Sequence, residues 1–162
     1  GTLPLAAVMT TNSIYEAFYD DYASYKAFLH SHSYTGNPLG CAAALASLDI
    51  FEEDDVIAGN ERRAREMGEA TAHLAGQPHV GEVRQWGMIL AIEMVQDKST
   101  RTPYPFAQRR GMRAYLRALE RGVLLRPIGN VLYFMPPYVI TQDEIALLAD
   151  VAGDAIGVAT RD

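Results

Sequence analysis

Cysteine, lysine and tryptophan are all scarce in this chain, and each scarcity narrows what it can be. A single cysteine, Cys41, leaves no internal disulfide framework and fits a reducing compartment. It sits in an alanine-rich run, where a small buried hydrophobe is expected. Positive charge is also in deficit: 14 Lys and Arg against 20 Asp and Glu give a net charge of −6. That balance argues against a general nucleic-acid or anionic-membrane surface. No apolar run approaches the roughly 20 residues of a membrane-spanning helix, and no secretory or transit pattern is expected. The chain opens on Gly1 rather than Met, so a fragment or processed product is expected. His30 and His32 form an H-x-H pair, but no Cys, Asp or Glu stands near enough to complete a ligand set, so no metal site is expected. The two lysines, Lys26 and Lys98, both lie in polar surroundings and are expected to be solvated.

What remains is an ordinary globular composition at a length that suits one compact domain. Leu3 to Thr11 reads as a buried strand and Asn12–Ser13 as caps for a short helix. Tyr19 to Phe28 is a polar, tyrosine-rich loop. Asn37 is a favoured N-cap and Pro38 is pre-set for the first helical position, which predicts a helix from Pro38 to about Glu53. A second helix is expected from Val56 to Leu74, with i,i+4 charge pairs Glu61–Arg65, Arg62–Glu66 and Arg65–Glu69 on a solvated face.

Gly76-Gln77-Pro78 then breaks the helix. Val80–Trp86 and Gly87–Val95 have strand patterns, and Asp97–Pro105 is a loop. A helix over Phe106–Arg121 should turn Met112, Tyr115, Leu116 and Leu119 inward and Arg109, Arg110, Arg113 and Arg117 outward, ending at Gly122. Val123–Arg126 and Val131–Met135 are short strands. Thr141 with Glu144 is a capping box for a last helix over about Gln142–Gly157. The class is α/β or α+β, with a small sheet covered on one face from about Gly76 onward. The first piece has one strand and cannot complete a sheet by itself.

Two places could carry chemistry. His30-Ser31-His32-Ser33-Tyr34-Thr35-Gly36-Asn37-Pro38 delivers hydroxyls to a helix start, where N–H groups and the dipole favour an anion. The same residues also suit a capped helix whose loop hydroxyls satisfy their own backbone. Arg126 ends an apolar strand before Pro127, where it could fork onto a carboxylate or make a surface ion pair. Tyr133, on the next strand, reads from its position as a half-buried strand aromatic.

The stretch His30 to Ala46 resembles the loop and helix of class III pyridoxal-phosphate aminotransferases. So do Gly1-Thr2-Leu3-Pro4-Leu5-Ala6-Ala7-Val8-Met9-Thr10-Thr11, the segment Gly122 to Gly129, and Tyr133-Phe134-Met135-Pro136-Pro137-Tyr138. The resemblance covers essentially the whole chain but only the C-terminal part of the family's sequence. It implies a fold-type I α/β transferase, with residues 1–60 ending the large domain and 61–162 forming the α+β small domain. It implies that His32 and Ser33 meet the phosphate of pyridoxal 5'-phosphate bound by the neighbouring subunit of a homodimer. His32 stands where relatives often carry Pro, and Ser33 where many carry Thr. It implies that Ser31, replacing a pocket-lining glycine, lies with Arg126 and Tyr133 at the substrate, Arg126 holding its carboxylate. The implied reaction moves an amino group from S-adenosylmethionine to 8-amino-7-oxononanoate, for biotin synthesis, in the cytoplasm. Another class III aminotransferase, acting on an ω-amino acid or diamine, is the alternative enzyme; a non-catalytic α/β binding module is the alternative outside catalysis. By the same resemblance the Schiff-base lysine lies upstream of Gly1, so this chain supplies no catalytic residue and alone should be inactive.

Overall fold

The computed structural model describes residues 2–161; Gly1, which opens the first motif segment, lies outside the described residues. The chain divides into two compact units, residues 1–55 and 56–162.

Unit 1 contains α1 (Asn12–Glu16) and α2 (Pro38–Glu53), with a single 3₁₀ turn at Tyr22–Ser24. α2 has the bounds its sequence dictates, because Asn37 Oδ1 accepts the Leu39 N–H at 3.1 Å and Pro38 opens the helix. Two expectations fail here. Leu3 to Thr11 forms no strand, since an extended segment becomes one only where a neighbouring strand takes up its N–H and C=O groups; among the described residues no strand pairs with it, and the Thr11 carbonyl is taken up by the Ile14 and Tyr15 N–H groups of α1. Cys41 is exposed rather than buried. On α2 only Gly40 is buried, so the alanine-rich helix has no packed layer over the face that carries Cys41.

Unit 2 is an antiparallel sheet with helices on one face. Its elements are α3 (Val56–Thr71), β1 (Val80–Trp86), β2 (Ile89–Asp97), β3 (Thr102–Pro103), α4 (Arg110–Glu120), β4 (Arg126–Ile128), β5 (Val131–Phe134) and α5 (Gln142–Ala159). The strand order is β1-β2-β5-β4, with the two-residue β3 on β2. Gly87 (φ +54°) and Gly129 (φ +60°) take the left-handed conformation at the two hairpin turns, where a Cβ would be strained. Alternation then sorts the faces. Leu90, Ile92, Met94, Leu132 and Phe134 are buried against the helices, while Arg84, Ala91, Tyr133 and Arg126 point the other way. α5 packs on both α3 and α4. Its Thr141–Glu144 capping box forms as expected.

α3 ends at Thr71, where the Thr71 hydroxyl donates to the Met67 carbonyl at 2.7 Å, and the chain tightens into a 3₁₀ turn over Ala72–Gly76. Of the three charge pairs expected on α3, Arg62–Glu66 is present, at 4.0 Å. Lys98 is exposed, but it donates to the carbonyls of Ala75 and Gln77 and so closes that 3₁₀ turn.

The largest correction concerns α4. It begins at Arg110, because Phe106–Gln108 is a separate 3₁₀ turn and Arg109 is left-handed (φ +49°). Its buried face is Arg110, Gly111, Ala114 and Ala118, while Leu116 and Leu119 stay 52 % and 41 % exposed. Small residues win the inner face because the helix is pressed close: a Cβ on Gly111 would lie 2.1 Å from the Gly129 carbonyl oxygen. Arg110, expected outside, is buried with its guanidinium donating to the carbonyls of Ala159 and Arg161 at 2.9 and 2.8 Å. It also stacks on the Tyr104 ring at 4.7 Å. A cation there meets the carbonyls and the negative end of α5.

Candidate active site

In unit 1 the loop before α2 is a tight, self-bonded turn. The Thr35 N–H donates to the His32 carbonyl at 2.8 Å and the Asn37 N–H to the Tyr34 carbonyl at 3.0 Å, with Gly36 left-handed (φ +71°). The His32 N–H donates to Thr35 Oγ1 at 3.2 Å, and the Tyr34 N–H donates to His32 Nδ1, also at 3.2 Å. In this arrangement Nδ1 is the acceptor, so the proton of the neutral ring sits on Nε2.

The loop hydroxyls therefore divide. Thr35 serves the backbone, whereas the Ser33 and Ser31 side chains are exposed and make no hydrogen bond among the described residues. Asn37 and Thr35, which hold the turn that presents Ser33, are the loop's scaffold. A phosphate needs donors and no opposing charge. Ser33 offers a free hydroxyl just before a helix start, and no acidic residue occurs between positions 27 and 48, so the loop fits such a group.

In unit 2 the open sheet face carries the second group. The hairpin register pairs Arg126 directly with Tyr133, and the Arg126 guanidinium carbon lies 5.9 Å from the Tyr133 ring centroid. Both residues are among those at the edge of a largely apolar cleft of about 430 Å³ between residues 122–126, the chain after β5, and the first half of α5. Val123, Leu125, Met135 and Ile140 supply apolar wall. The cleft's other charged side chain, Glu144, is committed to its cap, accepting the Thr141 N–H at 2.8 Å and its hydroxyl at 2.9 Å. The Thr141 N–H, with the hydroxyl adding to it, holds the Glu144 carboxyl below its ordinary range. Arg126 has no ion pair among the described residues, so a carboxylate reaching it would meet an unneutralised guanidinium.

The sequence places Ser31, His32 and Ser33 in one loop and Arg126 with Tyr133 on one hairpin; the two groups belong to different units. Each lysine has a polar partner within its own unit. Lys26 is paired with Asp20, which lowers the Asp20 pKa, and Lys98 is bound to two carbonyls. Among the described residues no group of His, Cys, Asp and Glu could hold a metal ion, and no helix is long and apolar enough to cross a membrane.

A free hydroxyl before a capped helix, and a free arginine on a small antiparallel sheet, are the parts in hand. The chain belongs to the class-III aminotransferases: that family's description matches residues 1–156. Among individual proteins, it is 46 % identical over 156 residues to adenosylmethionine-8-amino-7-oxononanoate aminotransferase of Anoxybacillus flavithermus, covering 96 % of this chain and 34 % of that protein. The crystal structure of the Methanocaldococcus jannaschii enzyme of the same name superposes with a TM-score of 0.88 at 41 % identity, covering 91 % of this chain and 34 % of that one. A PMP-bound aminotransferase from Vibrio fluvialis superposes with a TM-score of 0.78 at 27 % identity, over 85 % of this chain and 30 % of its own. The chain thus spans about a third of the length of these relatives.

Proposed function

We propose that this sequence is the C-terminal part of a pyridoxal-phosphate-dependent aminotransferase that moves the amino group of S-adenosylmethionine to 8-amino-7-oxononanoate, forming 7,8-diaminononanoate for biotin synthesis. The observation that carries the reading is the 46 % identity, over nearly the whole chain, to a protein named for that pair of compounds. In this reading residues 1–60 end the large domain and residues 61–162 form the small domain of a cytoplasmic homodimer.

Each residue then has one task. When bound, pyridoxal phosphate supplies the electron sink and the carrier for the amino group. Ser33 donates its hydroxyl to the cofactor phosphate held by the other subunit, and His32 shapes the turn through its carbonyl and ring nitrogen. Ser31 lines the substrate pocket through its backbone. Arg126 takes the carboxylate of the amino acceptor in a two-pronged hydrogen bond, which orients the acceptor's far end, and Tyr133 flanks it. By the family resemblance, the lysine that bonds the cofactor belongs to another stretch of the whole protein.

The test uses the full-length protein that carries this sequence. It should show the visible absorbance of bound pyridoxal phosphate and pass an amino group between the two named compounds. Arg126→Ala should raise the KM for 8-amino-7-oxononanoate by roughly tenfold or more, the loss expected for hydrogen bonds to a charged group. The half-reaction with S-adenosylmethionine should stay near wild type. Equal losses in both halves would remove the carboxylate role from Arg126. Turnover with ω-amino acids or diamines and none with this pair would move the protein to another branch of the family.

A further inference from the structure

The sheet register sets two arginines in one row and treats them differently. Arg84 pairs with Ala91, Ala91 with Tyr133, and Tyr133 with Arg126, so all four stand side by side on the open face. At one end Arg84 is bound by two carboxylates, Glu82 at 3.1 Å and Glu93 at 3.0 Å. At the other end no carboxylate pairs with Arg126 among the described residues, and the contact it makes is with the Tyr133 ring, 5.9 Å away.

These two ways of holding an arginine are not equivalent. A carboxylate takes up N–H donors and cancels charge. An aromatic face attracts the flat side of the guanidinium through its quadrupole and leaves the in-plane N–H groups unused. Pro127 confines the Arg126 backbone to extended conformations, but its long side chain keeps its rotamers unless something beside it selects among them. Ala91, on the far side of Tyr133, has no side chain that could compete for the ring.

We propose that Tyr133 is a positioning residue for Arg126: its ring orients the guanidinium over the sheet face with its donors free for the acceptor carboxylate. This rests on the reading of Arg126 as the carboxylate ligand. The phenol hydroxyl is not required; the ring is.

In the full-length enzyme, Tyr133→Leu should raise the KM for 8-amino-7-oxononanoate by roughly two- to fivefold, as expected for an exposed cation–π contact, with little change in kcat. The S-adenosylmethionine half-reaction should lose less than the acceptor half-reaction does. Nonanoate, a carboxylate probe that cannot react, should lose competitive affinity by the same factor. Tyr133→Phe, which keeps the ring, should hold the KM within about twofold of wild type. In an Arg126→Ala background Tyr133→Leu should add nothing further, since a pair acting as one unit is non-additive. Tyr133→Ile serves as a second ring-less variant if Tyr133→Leu folds poorly, because β-branched residues suit strands.

Equal damage from Tyr133→Phe and Tyr133→Leu would overturn the proposal in favour of a hydroxyl contact. An unchanged KM in Tyr133→Leu, with Arg126→Ala still impaired, would overturn it while leaving Arg126 in place. An unimpaired Arg126→Ala would instead fell the carboxylate reading on which it rests.

Discussion

Ser33 and Thr35 lie two positions apart in one turn, and their hydroxyls have opposite uses. Thr35 Oγ1 accepts the His32 N–H and is part of the turn's own bonding. The Ser33 side chain is exposed and makes no hydrogen bond among the described residues. The sequence alone left both uses open for every hydroxyl in the loop, because spacing cannot say which one faces inward. The contrast yields separate outcomes for two substitutions. Ser33→Ala in the full-length enzyme should preserve the melting temperature but weaken cofactor retention roughly tenfold, the worth of one hydrogen bond to a charged group. Thr35→Ala should loosen the turn and lower stability as well. Cofactor remaining after dialysis, read from visible absorbance, measures the first; a thermal melt measures the second. Unchanged retention in Ser33→Ala would return Ser33 to an ordinary loop position.

At the level of elements, local signals were legible and long-range ones were not. Asn37-Pro38 located the start of α2, and Thr141 with Glu144 located that of α5, because caps bind within four residues. Gly87 and Gly129 located the hairpin turns for the same reason. The two-residue turn at Gly129-Asn130 sets Arg126 opposite Tyr133 with β4 at Arg126–Ile128, whereas the sequence pattern puts the strand over Val123–Arg126, so that pairing was not legible from the apolar run. The inward face of α4 was misread because hydrophobic periodicity favours large residues, while here the distance to the hairpin selects small ones. The clash at Gly111 makes that distance measurable. Gly111→Ala should destabilise the fold by about 1–3 kcal/mol, the usual cost of overpacking, despite alanine's better helix propensity. A stability equal to or above wild type would mean the hairpin yields freely.

The ion pairs joining α4 to α5 give a pH dependence of definite sign. Arg117 donates to Asp154 at 2.7 Å and Arg121 to the same carboxylate at 3.4 Å. The Arg117 hydrogen bond, chiefly, holds the Asp154 pKa below its ordinary value. A carboxyl with a lower pKa folded than unfolded stabilises the fold above its unfolded pKa, about 3.9, and loses that contribution as pH falls through the folded value. Asp154→Asn should therefore be less stable than wild type near neutral pH, and the two should converge below about pH 4. Denaturant melts at the two pH values decide it; a constant gap would assign the effect to packing.

For the chain as a whole, the two units differ in what holds them. Unit 2 encloses a contiguous core running from Met67 through the sheet to Ala159. Among the described residues of unit 1, Gly40 alone is buried, while Val8, Met9, Tyr22, Leu29, Leu45 and Leu48 are exposed. The sequence predicts a buried first strand over Leu3–Thr11, which does not form, and it does not show how little of unit 1 is enclosed, since burial depends on which surfaces meet. The 16 residues of α2 therefore rest mainly on their own hydrogen bonds and cap, and an isolated helix near that length is marginal in water. Hydrogen exchange on the 162-residue chain should show this directly. Amides of β1, β2 and β5 should exchange slowly, through opening of the unit 2 core, and those of α2 orders of magnitude faster, through local fraying. Protection of α2 equal to that of β2 would show that the helix draws support beyond its cap and local bonds.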